Sequence, residues 1–134
     1  MKRLLAVFAA LAFANFFIGL IIIADRGEGS RWWAFVEQIP FGDKLGHICL
    51  TGTLSLLCNL AFPSQKTGHL TRFFTLTTLA LLVLLSLEEL IQAFIPSRTC
   101  DFFDWLADLV GVTSGQIVAA ALLRRCAKQS CNKA

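Results

Sequence analysis

The chain has 134 residues, of which 56% are hydrophobic and 16% charged, and its mean hydropathy is +0.67. About a quarter of the residues in a soluble domain are charged, so this composition excludes an ordinary soluble domain and favours the lipid bilayer. The net charge of +3 comes from basic residues scattered in pairs, without the stripe that follows a phosphate backbone, and this excludes a nucleic-acid partner.

Four apolar segments divide the chain. About 20 apolar residues are needed to cross the ~30 Å hydrocarbon layer, and four such segments with short links use the whole length. We therefore predict a single all-α membrane domain over residues 1–134, built as a four-transmembrane-helix bundle. The predicted spans cover residues 4–24, 43–62, 72–95 and 102–123.

The first segment has two interpretations. Ala12, Phe13 and Ala14 imitate the small-residue cleavage site of a signal peptide. Apolar residues nevertheless continue for about ten more positions, to Ala24. That continuation favours an uncleaved membrane anchor over a signal peptide.

Residues 31–39 connect the first two predicted spans. Their apolar side chains recur at helical spacing, and a pair of tryptophans is typical of the membrane interface. We predict a short interfacial amphipathic helix between helices 1 and 2. Its apolar face consists of Trp32, Trp33, Phe35, Val36 and Ile39.

The basic residues predict the orientation, because cytoplasmic loops of membrane proteins are enriched in Lys and Arg. With the N-terminus inside, the inner set has eight members: Lys2, Arg3, Lys66, Arg72, Arg124, Arg125, Lys128 and Lys133. The outer set has four: Arg26, Arg31, Lys44 and Arg98. We predict a multi-pass protein of the bacterial cytoplasmic (inner) membrane with both termini in the cytoplasm.

The fourth predicted span carries acids and glycines on one stripe. Asp101, Asp104, Asp108, Gly111 and Gly115 follow one another at spacings of three and four, which places them on the same helix face. The GxxxG pair predicts close packing by a neighbouring helix, which the acids would then also face. A helix cap is an equal alternative for Asp101, but Asp108 lies too deep to be a cap.

The second span places Asp43 and His47 on one face, with Lys44 one position round. Asp43 has a cap role as its alternative. A single helical histidine is often structural. His47 lies at the same predicted depth as the acids of the other spans, however, and buried ionisable groups in bilayers usually pair with one another.

The third span ends in Glu88, Glu89 and Gln92, followed by Arg98 in the next loop. Adjacent residues point about 100° apart on a helix, so only one of the two glutamates can face the cluster squarely. Interfacial glutamates that reach towards water are the alternative. Arg98 is a natural bidentate partner for a carboxylate or for the phosphate of a lipid headgroup.

These ends all fall on the outer side and form one polar cluster. Its formal charge is six acids minus two bases, a surplus of four negative charges. Such a surplus cannot lie fully ionised outside water, so we expect protonated acids or a bound cation. The binding candidates are Asp43, Lys44, His47, Glu89, Gln92, Arg98, Asp101, Asp104 and Asp108, and the catalytic candidates are His47, Glu89, Arg98 and Asp104.

Five cysteines occur without a CxxC pair and without a zinc-like Cys/His spacing. They are interpreted as free thiols, and no metal ligand and no cofactor is assigned.

The order of these residues resembles the VanZ-like family of small bacterial membrane proteins. Family members typically show DKxxH, then ExxQ followed by P-x-R, then D-x3-N-x2-G-x3-G, and the resemblance covers about positions 43–115. The matching residues here are Asp43, Lys44, His47, Glu89, Gln92, Pro96, Arg98, Asp104, Gly111 and Gly115. By this pattern Glu89, rather than Glu88, is the family glutamate.

Two positions depart from the family pattern. Asp108 stands where the family more often has Asn, and it matches the hydrogen bonding of an amide only in part. Thr51 stands at or near a position where an aromatic residue is common. The resemblance implies an envelope protein whose namesake is linked to resistance to the glycopeptide teicoplanin, without a settled reaction.

Four functions are compatible with the sequence. The first is an outer polar pocket that engages a cell-envelope component, lipid-linked or related to peptidoglycan, with an effect on glycopeptide susceptibility. The second is an intramembrane enzyme that acts on such a lipid-linked headgroup by acid/base chemistry. The third is a purely structural membrane protein, although about nine polar residues exceed what helix association needs. The fourth is a transporter, because proton-coupled carriers also line their paths with buried acids.

Overall fold

The structure, a computed structural model, describes residues 2–63, 74–98 and 100–131. Every regular element within these ranges is an α-helix, which confirms the predicted all-α class. The helices are α1 (Lys2–Asp25), α2 (Gly29–Glu37), α3 (Gly42–Ala61), α4 (Leu76–Gln92) and α5 (Phe102–Cys131).

Within the described residues, two helices are long and apolar enough to cross a membrane. One covers Arg3–Asp25, with a mean hydropathy of 2.6, and the other covers Phe102–Gln129, with a mean hydropathy of 1.7. Helix α3 is less apolar because it carries polar residues along one face, and α4 has only 17 residues. Length and composition alone therefore support two of the four predicted spans.

The polarity of the described residues is inverted relative to a soluble protein. Large apolar side chains lie on the outside of every helix, including Phe8 (71% exposed) on α1 and Leu84 (62% exposed) on α4. Soluble proteins bury most such side chains and expose polar ones. The buried polar or charged residues are Thr51, Ser55, Asn59, Thr78, Glu89, Gln92, Asp104, Asp108 and Gln116.

Helices α3 and α5 form the most extensive contact in the bundle. Glycines let the two backbones touch: a Cβ on Gly115 would lie 2.9 Å from the backbone nitrogen of Leu56 and closer still to the carbonyl oxygen of Gly52. A Cβ on Gly111 would overlap the Thr51 hydroxyl. The predicted GxxxG pair thus lies at a close helix contact, and α3 contributes Gly52, which the sequence interpretation did not include.

A row of small polar side chains continues this contact along α3. Ser55 donates from Oγ to the carbonyl oxygen of Val112 at 2.7 Å, across to α5. One turn further, Asn59 donates to Thr78 Oγ1 of α4 at 3.1 Å and accepts from Thr75 Oγ1 at 2.5 Å. These buried hydrogen bonds join α3, α4 and α5 at the end of the bundle opposite the acidic cluster.

Contacts between connections fix which helix ends lie together. Ser97, between α4 and α5, donates from Oγ to the carbonyl oxygen of Asp25 at the end of α1, at 2.5 Å. At the other end, Arg3 donates from Nε to the carbonyl oxygen of Ala61 at 3.4 Å. The α1–α2 turn and the α4–α5 loop therefore share one end of the bundle, where the ionisable residues also lie.

Several predicted boundaries shift. Helix α2 covers Gly29–Glu37 rather than 31–39, and the backbone of Trp33 leaves the helical region (φ −130°, ψ 30°). Of the predicted apolar face, Phe35 is 66% exposed and Val36 is half-buried, and both line the same cavity as Trp33. The side chain of Trp32 lies outside the described residues.

Helix α4 ends at Gln92 rather than at 95, and α5 continues to Cys131 rather than 123. Good helix formers without Gly or Pro follow Leu123, which explains the continuation. Residues 72 and 73 of the predicted third span lie outside the described residues, as do Lys66 and Lys133 of the orientation count.

The α3–α5 contact predicts the effect of a single methyl group. In Gly115→Ala the new Cβ meets backbone atoms of α3, which cannot rotate away, so we expect the free energy of unfolding to fall by about 1 to 3 kcal/mol. Thermal unfolding of the purified protein in detergent measures this change.

Gly19→Ala is the matched control, because no atom lies within 4 Å of a Cβ at Gly19 in α1. Alanine favours a helix over glycine by up to about 1 kcal/mol, so this variant should be neutral or stabilised. Equal stability of Gly115→Ala and the native protein would contradict close contact of the two backbones.

Candidate functional site

A cavity of about 380 Å³ lies beside the acidic end of α3. Helices α1 and α2 form its apolar walls, whose members include Phe17, Leu20, Trp33 and Val36. Polar and charged side chains from α3, α4, α5 and the α4–α5 loop line the rest. These are Asp43, His47, Glu88, Arg98 and Asp108.

His47 and Asp108 form a pair in this lining. His47 Nδ1 lies 2.9 Å from Asp108 Oδ1, and the Asp108 side chain is only 4% exposed. A carboxylate that accepts from Nδ1 leaves Nε2 of a neutral imidazole as a hydrogen-bond acceptor. His47 was predicted to lie at the same depth as the acids of the other spans, and in the structure it contacts Asp108 directly. The close packing of α3 and α5 one turn below brings the two side chains together.

Lys44 holds the other acids of the cluster. Its Nζ lies 2.5 Å from Asp104 Oδ1, 2.8 Å from Asp101 Oδ2 and 3.3 Å from Asp43 Oδ2. One ammonium group thereby bridges α3 to the first turn of α5 and to the residue before it. Hydrogen bonds from Lys44 and from the backbone N–H of Phe103 hold the pKa of the Asp101 carboxyl below its usual value.

Arg98 is positioned differently. It donates from Nε to Gln92 Oε1 at 3.2 Å, and Gln92 Nε2 in turn lies 2.8 Å from both carboxylate oxygens of Glu88. Within the described part of the chain, no carboxylate lies within 4.0 Å of the Arg98 guanidinium nitrogens. The chain Glu88–Gln92–Arg98 therefore orients a cation towards the cavity without neutralising it by direct contact.

The two adjacent glutamates, Glu88 and Glu89, lie in different surroundings. Glu88 lines the cavity, whereas Glu89 is 4% exposed and accepts from the backbone N–H of Asp101 at 2.8 Å. Glu89 thus fixes the entry to α5. The rotation of α4 about its axis decides this difference, because neighbouring residues point about 100° apart.

A possible cation site is defined by Asp43, His47 and Asp104. Their ligand atoms all lie within 4.8 Å of one another, a set that suits a hard or borderline divalent ion. The ammonium of Lys44 already contacts both of these carboxylates. A metal ion here would have to compete with Lys44.

The structure gathers all nine predicted binding residues at one end of the bundle but divides them by role. Asp43, His47, Arg98 and Asp108 line the cavity. The other five lie behind or beside it. Lys44 forms ion pairs with Asp101 and Asp104, Gln92 accepts from Arg98, and Glu89 accepts from the backbone N–H of Asp101.

Two contributions to the cavity were not predicted. Glu88 lines the cavity although the family pattern favours Glu89, and α1, predicted as a membrane anchor, forms one of its walls. No local sequence signal distinguishes the cavity-facing residues of α1, because all faces of that helix are apolar.

The ion pairs of Lys44 with three carboxylates predict a pH-dependent loss of stability in Lys44→Met. The three acids are Asp43, Asp101 and Asp104. This change leaves three acids without their shared cation, and because the ion pairs are partly screened by solvent we expect the free energy of unfolding at pH 7 to fall by no more than about 1 kcal/mol. Lys44→Arg keeps the charge and should lose less.

The sign of the pH effect follows from the lowered pKa of Asp101. Its stabilisation is present above the unfolded-state pKa of about 3.9 and is lost as the pH falls through the lower folded-state pKa. The native protein and Lys44→Met should therefore converge in stability as the pH is lowered from 7 to about 3. A constant difference over that range would contradict an electrostatic origin.

Comparisons of the chain with protein-family models, with curated proteins and with solved structures found no match. The resemblance to the VanZ-like family accordingly rests on the residues of the chain alone.

Proposed function

We propose that this chain is a VanZ-like, multi-pass protein of the bacterial cytoplasmic membrane whose outer-face cavity engages a cell-envelope component. The component is a lipid-linked or peptidoglycan-related molecule, and its engagement alters susceptibility to glycopeptide antibiotics. One observation carries the proposal: a single cavity combines apolar walls from α1 and α2 with charged residues from α3, α4 and α5. That combination suits an amphiphilic ligand.

The four-span arrangement is supported by the inverted polarity. At 1.5 Å per residue, the 20 residues of α3 extend about 30 Å and the 17 residues of α4 about 25 Å, close to the thickness of the hydrocarbon layer. The polar face of α3 that lowers its hydropathy is buried against α5. Its outward side chains are largely apolar, which suits contact with lipid.

The orientation is supported by the distribution of charge. The end that holds the cavity is rich in carboxylates, while Arg3 lies at the opposite end with the basic turn that follows Leu123. An excess of Lys and Arg is typical of the cytoplasmic side. The cavity then opens in the outer leaflet, where lipid-linked envelope precursors are used.

The second candidate function is an intramembrane enzyme that acts on a lipid-linked headgroup. It is favoured by the His47–Asp108 pair, since a carboxylate on Nδ1 orients Nε2 as a general base. Arg98 would stabilise negative charge that develops on the substrate. A labelled lipid separates the functions, because an enzyme converts it and a binding protein only retains it.

Cysteine labelling tests the membrane topology. Cys100 in the α4–α5 loop and Cys126 near the end of α5 are both exposed. The experiment uses variants in which Cys100 or Cys126 is the single remaining cysteine of the five. A membrane-impermeant maleimide should label Cys100 in intact cells and Cys126 only after permeabilisation. Labelling of both from the same side would contradict an odd number of crossings between them, and the reverse pattern would contradict the orientation.

Filling the cavity tests its role in binding. Gly46 lines the cavity, and no atom lies within 4 Å of a Cβ at that position, so Gly46→Phe can occupy the space without displacing backbone. We expect this variant to lose the lipids that co-purify with the native protein, as measured by mass spectrometry. It should also lose any effect of the protein on the growth of a teicoplanin-susceptible host.

Gly19→Phe is the matched control. Gly19 likewise has open space around its Cβ position, but it does not line the cavity. An unchanged lipid complement in Gly46→Phe would overturn the proposal that the cavity engages the envelope component.

A further inference from the structure

We infer that the ligand of this cavity carries two opposite charges, an anionic group that binds Arg98 and a protonated primary amine that binds Asp43. This inference rests on the proposed function and specifies its chemistry. Phosphoethanolamine on a lipid is the simplest headgroup with both charges. An amine-bearing phospholipid-like or phosphate-linked precursor shares that chemistry.

The anionic group of the ligand is inferred from the contacts of the Arg98 guanidinium. Its Nε is used by Gln92, and the other guanidinium nitrogens meet no carboxylate at ion-pairing distance among the described residues. Guanidinium donors in a fixed fork suit bidentate binding of phosphate or carboxylate. Orientation by Gln92 and Glu88 reduces the conformational entropy that Arg98 would lose on binding.

The cationic half follows from the charge of the lining. Asp43, Glu88 and Asp108 against Arg98 give three negative charges minus one positive charge, and a surplus of one negative charge remains even if His47 is counted as a cation. A purely anionic ligand would add to this surplus in a largely apolar cavity. An amine on the ligand offsets it.

Among these acids, Asp43 is the one most available to an amine. Its side chain is 65% exposed, and it lies 3.3 Å from Lys44, which has closer contacts with Asp101 and Asp104. Asp108 is buried against His47, and Glu88 is bound by Gln92. The apolar walls beside Asp43 and Arg98, which include Phe17 and Trp33, provide room for the hydrocarbon chain.

The experiment compares three short-chain lipids on the full-length protein, delipidated and purified in a maltoside detergent. Dioctanoyl phosphatidylethanolamine carries both charges with a primary amine, phosphatidylglycerol only the anion, and phosphatidylcholine a quaternary ammonium that cannot donate. Titration followed by native mass spectrometry gives a Kd for each. We expect the ethanolamine lipid to bind about tenfold more tightly than either of the others, which corresponds to about 1.4 kcal/mol.

Two substitutions assign the two charges. Asp43→Asn should remove the preference for the ethanolamine lipid, whereas Asp43→Glu should retain most of it. Arg98→Gln should weaken the ethanolamine and glycerol lipids by a similar factor, since both bind through the phosphate. Glu28→Gln is the matched control, because Glu28 is an exposed carboxylate at the same end of the bundle that does not line the cavity.

The outcomes separate this inference from the proposed function. If phosphatidylglycerol binds as tightly as the ethanolamine lipid and Gly46→Phe abolishes that binding, the two-charge ligand is overturned while the amphiphile-binding cavity stands. If phosphatidylcholine binds as tightly and Gly46→Phe abolishes that binding, the primary amine that binds Asp43 is overturned. If no lipid binds more tightly to the native protein than to Gly46→Phe, both are overturned. Free phosphoethanolamine that competes as well as the lipid would overturn the assignment to a lipid headgroup.

Circular dichroism and thermal unfolding of each variant accompany the titrations. Should Asp43→Asn fail to fold, the comparison of the three lipids on the native protein and on Asp43→Glu still decides the inference, because the preference itself is the predicted quantity.

Discussion

The close approach of α3 and α5 is the constraint on which the rest of the structure depends. Gly111 and Gly115 face the backbone of α3 around Gly52, at a distance that any side chain would increase. This contact sets the rotation and depth of the two helices relative to each other. His47 and Asp108, one turn further out, are brought within 2.9 Å as a consequence. A small-residue helix contact of the kind common in membranes thus positions ionisable groups rather than only joining helices.

The two cations at this end of the bundle have different roles. Lys44 is surrounded by carboxylates on α3 and at the start of α5, so it serves mainly to hold those segments together. Arg98 is held by Gln92 and directed towards the cavity. Some of the acids are stabilised by hydrogen bonds instead of cations, as Glu89 is by the backbone N–H of Asp101. Three further acids, Asp43, Glu88 and Asp108, line the cavity.

Polar residues in the bundle fall into two groups along α3. Towards the end where Arg3 lies, Ser55 and Asn59 bind backbone and side-chain partners on α4 and α5, and they account for helix association. Towards the other end, His47 lies against Asp108 through Nδ1, and both residues line the cavity. The first group therefore joins α3, α4 and α5, whereas His47 and Asp108 of the second group line the cavity.

The sequence by itself determined the helices and the glycine stripe of the close helix contact, because each follows from spacing within a single segment. It also indicated that ionisable residues gather at one end, because successive helices reverse direction. Residues three and four apart share a face whatever the neighbours are, and this put Asp104, Asp108 and Gly111 on one stripe. Only the tertiary structure decided that Glu88 rather than Glu89 lines the cavity, that Lys44 takes the acids, and that α1 supplies the wall. These outcomes depend on how far each helix is rotated about its own axis. That rotation is set by packing between segments distant in the chain, and spacing within one helix carries no information about it.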